Sequence, residues 1–181
     1  MDPQVNAPSA LPPSVQSPRA PVPPIDFPDY LALVQLYADY ASALDRGDWD
    51  AWPGFFTDPC VYKLQPRENH ERGFPLATLA FESQGMLKDR VYGIRETLFH
   101  DPYYQRHVVG APLIRGRDAD GRIHCEVNYA VFRTRLSKET TVFNVGRAID
   151  EIVPTSGGLR FASRLLIYDS EMVPNSLIYP I

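Results

Sequence analysis

Cysteine is scarce in this chain: Cys60 and Cys125 stand alone among 181 residues. Two thiols cannot staple a small scaffold, and their separation fits no metal knuckle. Histidine is limited to His70, His100, His107 and His124, with no H-x-x-x-H, no H-x-x-E and no C-x-x-C. That argues against a zinc or iron site built on local spacing. Lysine is reduced to Lys63, Lys88 and Lys138, and the formal charge is −4. Without a basic stripe, the chain lacks the electrostatic footprint of a nucleic-acid binder. No apolar run approaches the ~18–20 residues that cross a bilayer. The first residues have neither the basic start nor the apolar core of a secretory signal. A cytoplasmic protein with reduced thiols is expected. There is no G-x-S-x-G elbow for a serine nucleophile. Gly157-Gly158 reads as a turn, because no strand–loop–helix context makes it a phosphate loop.

What is present divides unevenly. Nine of the 18 prolines fall at or before Pro28. Proline fixes φ and removes a donor, so Pro12-Pro13 and Pro21-Val22-Pro23-Pro24 favour extended polyproline geometry. Residues 1–28 are expected to form an extension, and residues 29–181 a single domain. The body carries most of the 10 Tyr, 9 Phe and 2 Trp, which excludes a disordered chain. A domain of that size buries about 68–70% of its unfolded surface and needs no staple.

Pro28-Asp29 suits the first turn of a helix. Two apolar rows follow at helical spacing: Tyr30, Val34, Tyr37, Ala41, Leu44, and Leu33, Tyr37, Tyr40, Leu44. Asp45-Arg46-Gly47 ends this helix. A short second helix is expected from Asp50 to Phe56, with Pro53 in its first turn. Its load of Trp49, Trp52, Phe55 and Phe56 suits a lid over one end of a core. Cys60–Gln65 reads as a strand, 66–82 as irregular, and Ser83 as the cap of a third helix reaching Phe99. From Arg106 onward the period becomes two. Strands are expected over His107–Ile114, Ile123–Val131, Thr141–Ile152 and Leu159–Asp169, with turns near Asp120-Gly121 and Gly157-Gly158. Gly110, Pro112 and Gly146 are bend or bulge points. Helices followed by a long strand meander specify an α+β fold: a curved antiparallel sheet wrapped around N-terminal helices as a cone with an internal cavity.

Arginine is the distinctive charge, 15 of the 18 basic residues. Its planar fork suits bidentate pairing at contacts, and tyrosine shares that enrichment. Arg72, Arg90, Arg95, Tyr103, Tyr104, Arg106 and His107 are therefore the candidate subunit-contact residues. His107 facing a cavity would serve as a general acid or base. A hydrogen-bonded histidine at a subunit contact is the favoured reading, because spacing identifies no partner acid. Cys125 lies inside a strand pattern and reads as a small core side chain.

Several segments carry a family likeness. They are Glu68-Asn69-His70-Glu71-Arg72-Gly73, Met86-Leu87-Lys88-Asp89-Arg90-Val91 with Arg95, Arg106-His107-Val108-Val109-Gly110, and Val142-Phe143-Asn144-Val145-Gly146-Arg147. Tyr168-Asp169-Ser170 and Asn175 to Ile181 complete the set. In this order they resemble the small (β) subunit of bacterial aromatic-ring-hydroxylating oxygenases of the Rieske non-haem iron type. The resemblance implies a nuclear-transport-factor-2-like (SnoaL-like) cone, self-association as a trimer, and an α3β3 hexamer with a catalytic large (α) subunit. It implies that the Rieske [2Fe–2S] cluster and mononuclear Fe(II) reside in that large subunit. Ferredoxin and reductase would then be indirect partners. This chain would be a non-catalytic structural subunit with no cofactor, acting in aromatic-compound catabolism without nucleic-acid or membrane partners. The signatures resemble the branch acting on benzoate, salicylate and terephthalate. The alternative is a stand-alone cone-fold isomerase or dehydratase acting on a small cyclic substrate. Ketosteroid isomerases place a tyrosine on the first helix, as Tyr40 is placed, and an aspartate base where this chain has Lys63. Scytalone-dehydratase-like enzymes use a first-helix aspartate where this chain has Ser42.

Overall fold

The computed structural model describes residues 25–171 and 177–181. Most of the proline-rich extension, and Asn175-Ser176 of the family-like ending, lie outside them. Helix α1 spans Phe27–Asp45, and the Asp26 side chain caps it by accepting from the Asp29 N–H at 2.9 Å. That satisfies one orphan donor and places an acid at the positive end of the helix. Of the two apolar rows, Leu33, Tyr37, Tyr40 and Leu44 is the buried one, whereas Val34 is exposed.

A 3₁₀ turn, Trp52–Phe55, replaces the expected second helix, and its Trp52 is fully buried. Strand β1 runs from Phe56 to Pro66, four residues earlier than the pattern indicated. The region expected to be irregular holds helix α2 (Arg67–Glu71) and strand β2 (Leu79–Phe81). Helix α3 covers Gln84–Tyr92 and passes into a π-helical turn over Gly93–Thr97. Its Ser83 cap is as expected, accepting from the Met86 N–H. Among the described residues no helix is long and apolar enough to cross a membrane.

The remaining strands are β3 (Tyr103–Val109), β4 (Leu113–Arg117), β5 (Ile123–Arg135), β6 (Thr141–Thr155) and β7 (Gly158–Tyr168). Gly110-Ala111-Pro112 breaks the single strand expected over His107–Ile114 into β3 and β4, at the predicted bend. The sheet order is β2-β1-β7-β6-β5-β3, with β4 also on β5. β5, β6 and β7 form the antiparallel meander, but β1 lies parallel to β7. The meander is antiparallel as expected, and the parallel β1–β7 pair makes the sheet as a whole mixed. Alternation has the same period in either direction, so strand patterning does not reveal which neighbour runs parallel.

Two bulges bend the long strands, at Val131/Phe132 and at Glu151/Ile152. Gly146 of β6 sits opposite Tyr168 of β7. A Cβ there would lie 2.0 Å from the Ile167 carbonyl oxygen. Ile123, Cys125, Val127, Tyr129 and Val131 face α1 along β5, as their alternation requires. Leu33, Leu44, Leu64 and Leu87 are fully buried in the same core. Each such side chain contributes roughly 1.5–3 kcal/mol of transfer free energy.

Candidate functional site: a filled cone and its rim

The inward-facing row of β6 reads Ala148, Asp150, Ile152, which places a carboxylate in the core. Asp150 is 1% exposed and accepts from Arg164 Nη1 on β7 at 2.9 Å and from Tyr37 Oη on α1 at 2.6 Å. The Arg164 guanidinium stacks over Tyr40 at 4.6 Å and Phe161 at 4.7 Å. Burial raises the Asp150 carboxyl to about 6, while Arg164 and the Tyr37 bond pull it down. Arg164 is held above its ordinary value: burial disfavours its charge, and Asp150 outweighs that. Both are charged at neutral pH. Cys125 Sγ lies 3.2 Å from Tyr37 Oη, and burial pushes its thiol up to about 12. It is a core side chain without nucleophilic character.

Deeper in the cone, Tyr40 and Tyr62 both donate to the Ile181 carbonyl oxygen, at 2.8 and 3.0 Å. Trp52 Nε1 donates to Tyr40 Oη at 3.1 Å. Burial raises both phenols, Tyr40 to about 12 and Tyr62 well above its ordinary value. Arg90 donates to the Leu177 and Ile178 carbonyls, and Gln105 Nε2 to that of Pro180. Tyr179 stacks on Trp49 at 4.6 Å and packs tilted against Tyr103 at 4.5 Å. Residues 177–181 thus occupy the mouth and interior of the cone. The expected internal cavity is filled, because four donors from α1, β1, α3 and β3 converge on the carbonyls of that segment.

A cleft of about 580 Å³ lies instead along the outer seam between α1 and β3. Asp45, Arg106 and His107 line one end of it. Asp45 accepts from the His107 backbone N–H at 3.0 Å, from its ring Nδ1 at 2.7 Å and from Arg106 at 3.3 Å. A carboxylate accepting from Nδ1 fixes the Nε2 lone-pair tautomer in the neutral ring. That Nε2 atom is buried without a partner. It does not reach the open cleft, so the pair ties the end of α1 to β3 and offers no exposed base.

The seven candidate contact residues separate into two groups. Arg90, Tyr103 and His107 turn inward and are spent on the fold. Arg72 pairs with Glu68 and Arg95 with Asp50, both at the surface. Tyr104 and Arg106 share the outer face of β3 and are 76% and 74% exposed. Sequence reasoning missed an apolar patch on that outer face. Register aligns Val108, Ala130 and Val145 in one row, and Arg106, Phe132 and Val142 in the next. The Asp150–Arg164 pair was also missed. Its signal was a charge in an otherwise apolar alternating row. Lys63, between inward-facing Tyr62 and Leu64, lies on the opposite face of β1. Ser42 accepts from Arg46 beside the outer cleft.

A family model described as "Ring hydroxylating beta subunit" matches residues 39–175. The chain is 33% identical to the anthranilate 1,2-dioxygenase small subunit of Burkholderia cepacia, over 86% of this chain and 96% of that one. It is 31% identical to a terephthalate 1,2-dioxygenase terminal oxygenase β subunit of Comamonas sp., over 83% and 97% of the two chains. Among solved structures, a β subunit from Novosphingobium aromaticivorans assigned to the aromatic-ring-hydroxylating dioxygenases superposes with a TM-score of 0.77 at 34% identity. That match covers 84% of this chain and 97% of that one.

Proposed function

This chain belongs to the ring-hydroxylating β-subunit family, the small subunits of multicomponent aromatic-ring oxygenases, and we propose that its part in such an enzyme is structural. The observation that carries this is the filled cone. Where a cone-fold enzyme would hold a small cyclic substrate, this chain holds its own Arg164, Tyr40, Tyr62 and Ile181. The isomerase or dehydratase reading loses its substrate space, and Lys63 and Ser42 do not supply its acids.

The residues present do not fit the family's iron centres. A Rieske cluster needs two cysteines and two histidines together, and a mononuclear site needs two histidines and a carboxylate. Cys60 and Cys125 are separately buried, and Cys125 is bonded to Tyr37. His107 is bound to Asp45 and His124 to Asp118. No three His, Cys, Asp or Glu side chains cluster among the described residues. No chemical step is routed through iron in this chain. The iron belongs to the large subunit, and electrons from ferredoxin and reductase reach that subunit directly.

The chain self-associates as a trimer that supports an α3β3 assembly in the cytoplasm. Arg72, Arg95, Tyr104 and Arg106, with the apolar rows beside Val108 and Val142, provide its contact surfaces. The large subunit sets the substrate, and the anthranilate and terephthalate relatives point to an aromatic acid. The test is purification of the chain alone and with its large subunit, measuring mass, iron and turnover. The expected result is an iron-free, inactive trimer that restores a coloured, active complex on co-expression. A monomer with isomerase or dehydratase turnover would overturn the proposal.

A further inference from the structure

The outward side of α1 carries an apolar seam. Phe27, Leu31, Val34, Ala38 and Ala41 recur at alternating steps of four and three, so they share one stripe of the helix. Phe27 and Leu31 are 75% and 54% exposed. From Val34 onward the stripe forms one wall of the outer cleft of about 580 Å³, and Val109 and Pro112 stand on the other. Tyr30 and Tyr37 also line it, while Ser42, Asp45, Arg106 and His107 gather at its far end. The cleft is an apolar trough with aromatic faces, and it opens about one turn inside the start of α1.

We propose that this trough holds the proline-rich segment Pro18–Pro24 of the same chain, laid back antiparallel along α1. The 24 residues outside the described part end where the seam begins. Ile25, next to the Asp26 cap, is half-buried against the core. A residue in that position sets the angle at which the chain enters its helix, so the extension arrives from beside α1 and not along its axis. Polyproline geometry advances about 3.1 Å per residue, so the seven residues Pro18–Pro24 span about 22 Å. The seam from Phe27 to Ala41 spans about 21 Å at the helical rise. Proline-rich strands suit aromatic-lined grooves, because their extended form is preset and little entropy is lost on docking. Arg19 is the one charge in the segment, and this register carries it to the polar end of the cleft. The α1 helix of a second copy is a poorer occupant. Ala38 and Ala41 give a helix little to interdigitate with, and Gly110-Ala111-Pro112 walls the trough. Covalent attachment also gives the chain's own segment an effective concentration of about millimolar order.

The test places cysteine pairs in the full-length chain, whose own Cys60 and Cys125 are buried. The two rises set Ala20 opposite Ala38. Ala20→Cys/Ala38→Cys should therefore close an intrachain disulfide about tenfold faster than Ala20→Cys/Ala32→Cys, because docking raises the local thiol concentration. Ala32 is exposed and lines a different cleft, beside Gly158. Trypsin gives an independent reading, since Arg19-Ala20 is the first tryptic bond and none follows before Arg46. Its cleavage should be roughly tenfold slower in wild type than in Ala38→Glu, which puts a charge in the trough and frees the segment. Ala32→Glu should behave as wild type. Thermal melting is the folding control, and the tryptic reading carries the test if a cysteine variant does not fold. Equal cross-linking of Ala20→Cys to positions 38 and 32 overturns the inference, as does equal cleavage of wild type and folded Ala38→Glu. A disulfide that joins two chains overturns it too, by assigning the trough to a neighbour's extension.

Discussion

Replacing Arg164 with methionine keeps an apolar stem against Tyr40 and Phe161 and deletes the charge. Asp150 is then left at 1% exposure with no cation beside it and with Tyr37 as its remaining donor. Removing one partner of a buried pair costs about 3–5 kcal/mol. For a chain of this size, 2–4 °C per kcal/mol gives a fall in Tm of roughly 6–20 °C. The sign with pH follows from the carboxyl. Its folded value, about 6, already exceeds its ordinary 3.8 because of burial. Losing Arg164 removes a lowering influence, so the folded value rises further. A raised carboxyl favours folding at low pH, and that contribution is lost as pH climbs from the unfolded value through the folded one. The Arg164→Met penalty should therefore be small near pH 4 and largest above pH 7. Urea unfolding of wild type and variant across that range measures it. Asp150→Leu in the Arg164→Met background should recover most of the loss, because a well-packed apolar pair costs no desolvation. A penalty below about 1 kcal/mol at pH 7.5, or one that ignores pH, would refute the reasoning.

Three further outcomes are expected. Glu126 is held below the usual carboxylate range: burial pushes it up, but bonds from Arg115 and Arg147 outweigh that. Its contribution is present above the unfolded value and fades as pH falls through the folded one, so wild type and Glu126→Gln should converge in stability under acid titration below about pH 4. Burial raises both thiols, helped at Cys60 by Asp58, so a thiol reagent should label neither until denaturant is added. Gly146→Ala should lose soluble, folded protein outright, because its Cβ would stand 2.0 Å from the Ile167 carbonyl; a normal melting curve for that variant would count against the register.

Patterning carried much of the fold. Period-two alternation named the inward row of β5 correctly, and helical spacing located α1 to within two residues. It could not choose between the two apolar rows on α1, because both are apolar and only packing against β3 and β7 exposes Val34. The sequence also could not show that Arg90 and His107 turn inward. Arginine and histidine are surface residues by default, and what buries them is a carbonyl of residues 177–181 or the carboxylate of Asp45, both remote in sequence.

The sequence by itself determined the α+β order, the scarcity of metal-ligand spacing and the family segments, because each depends on local periodicity or on residue identity. Only the tertiary structure decided that β1 runs parallel to β7, that Asp150 meets Arg164, and that the cone is filled. Those three outcomes rest on contacts between residues far apart in the chain, where pairing direction, burial and charge compensation are settled together by packing.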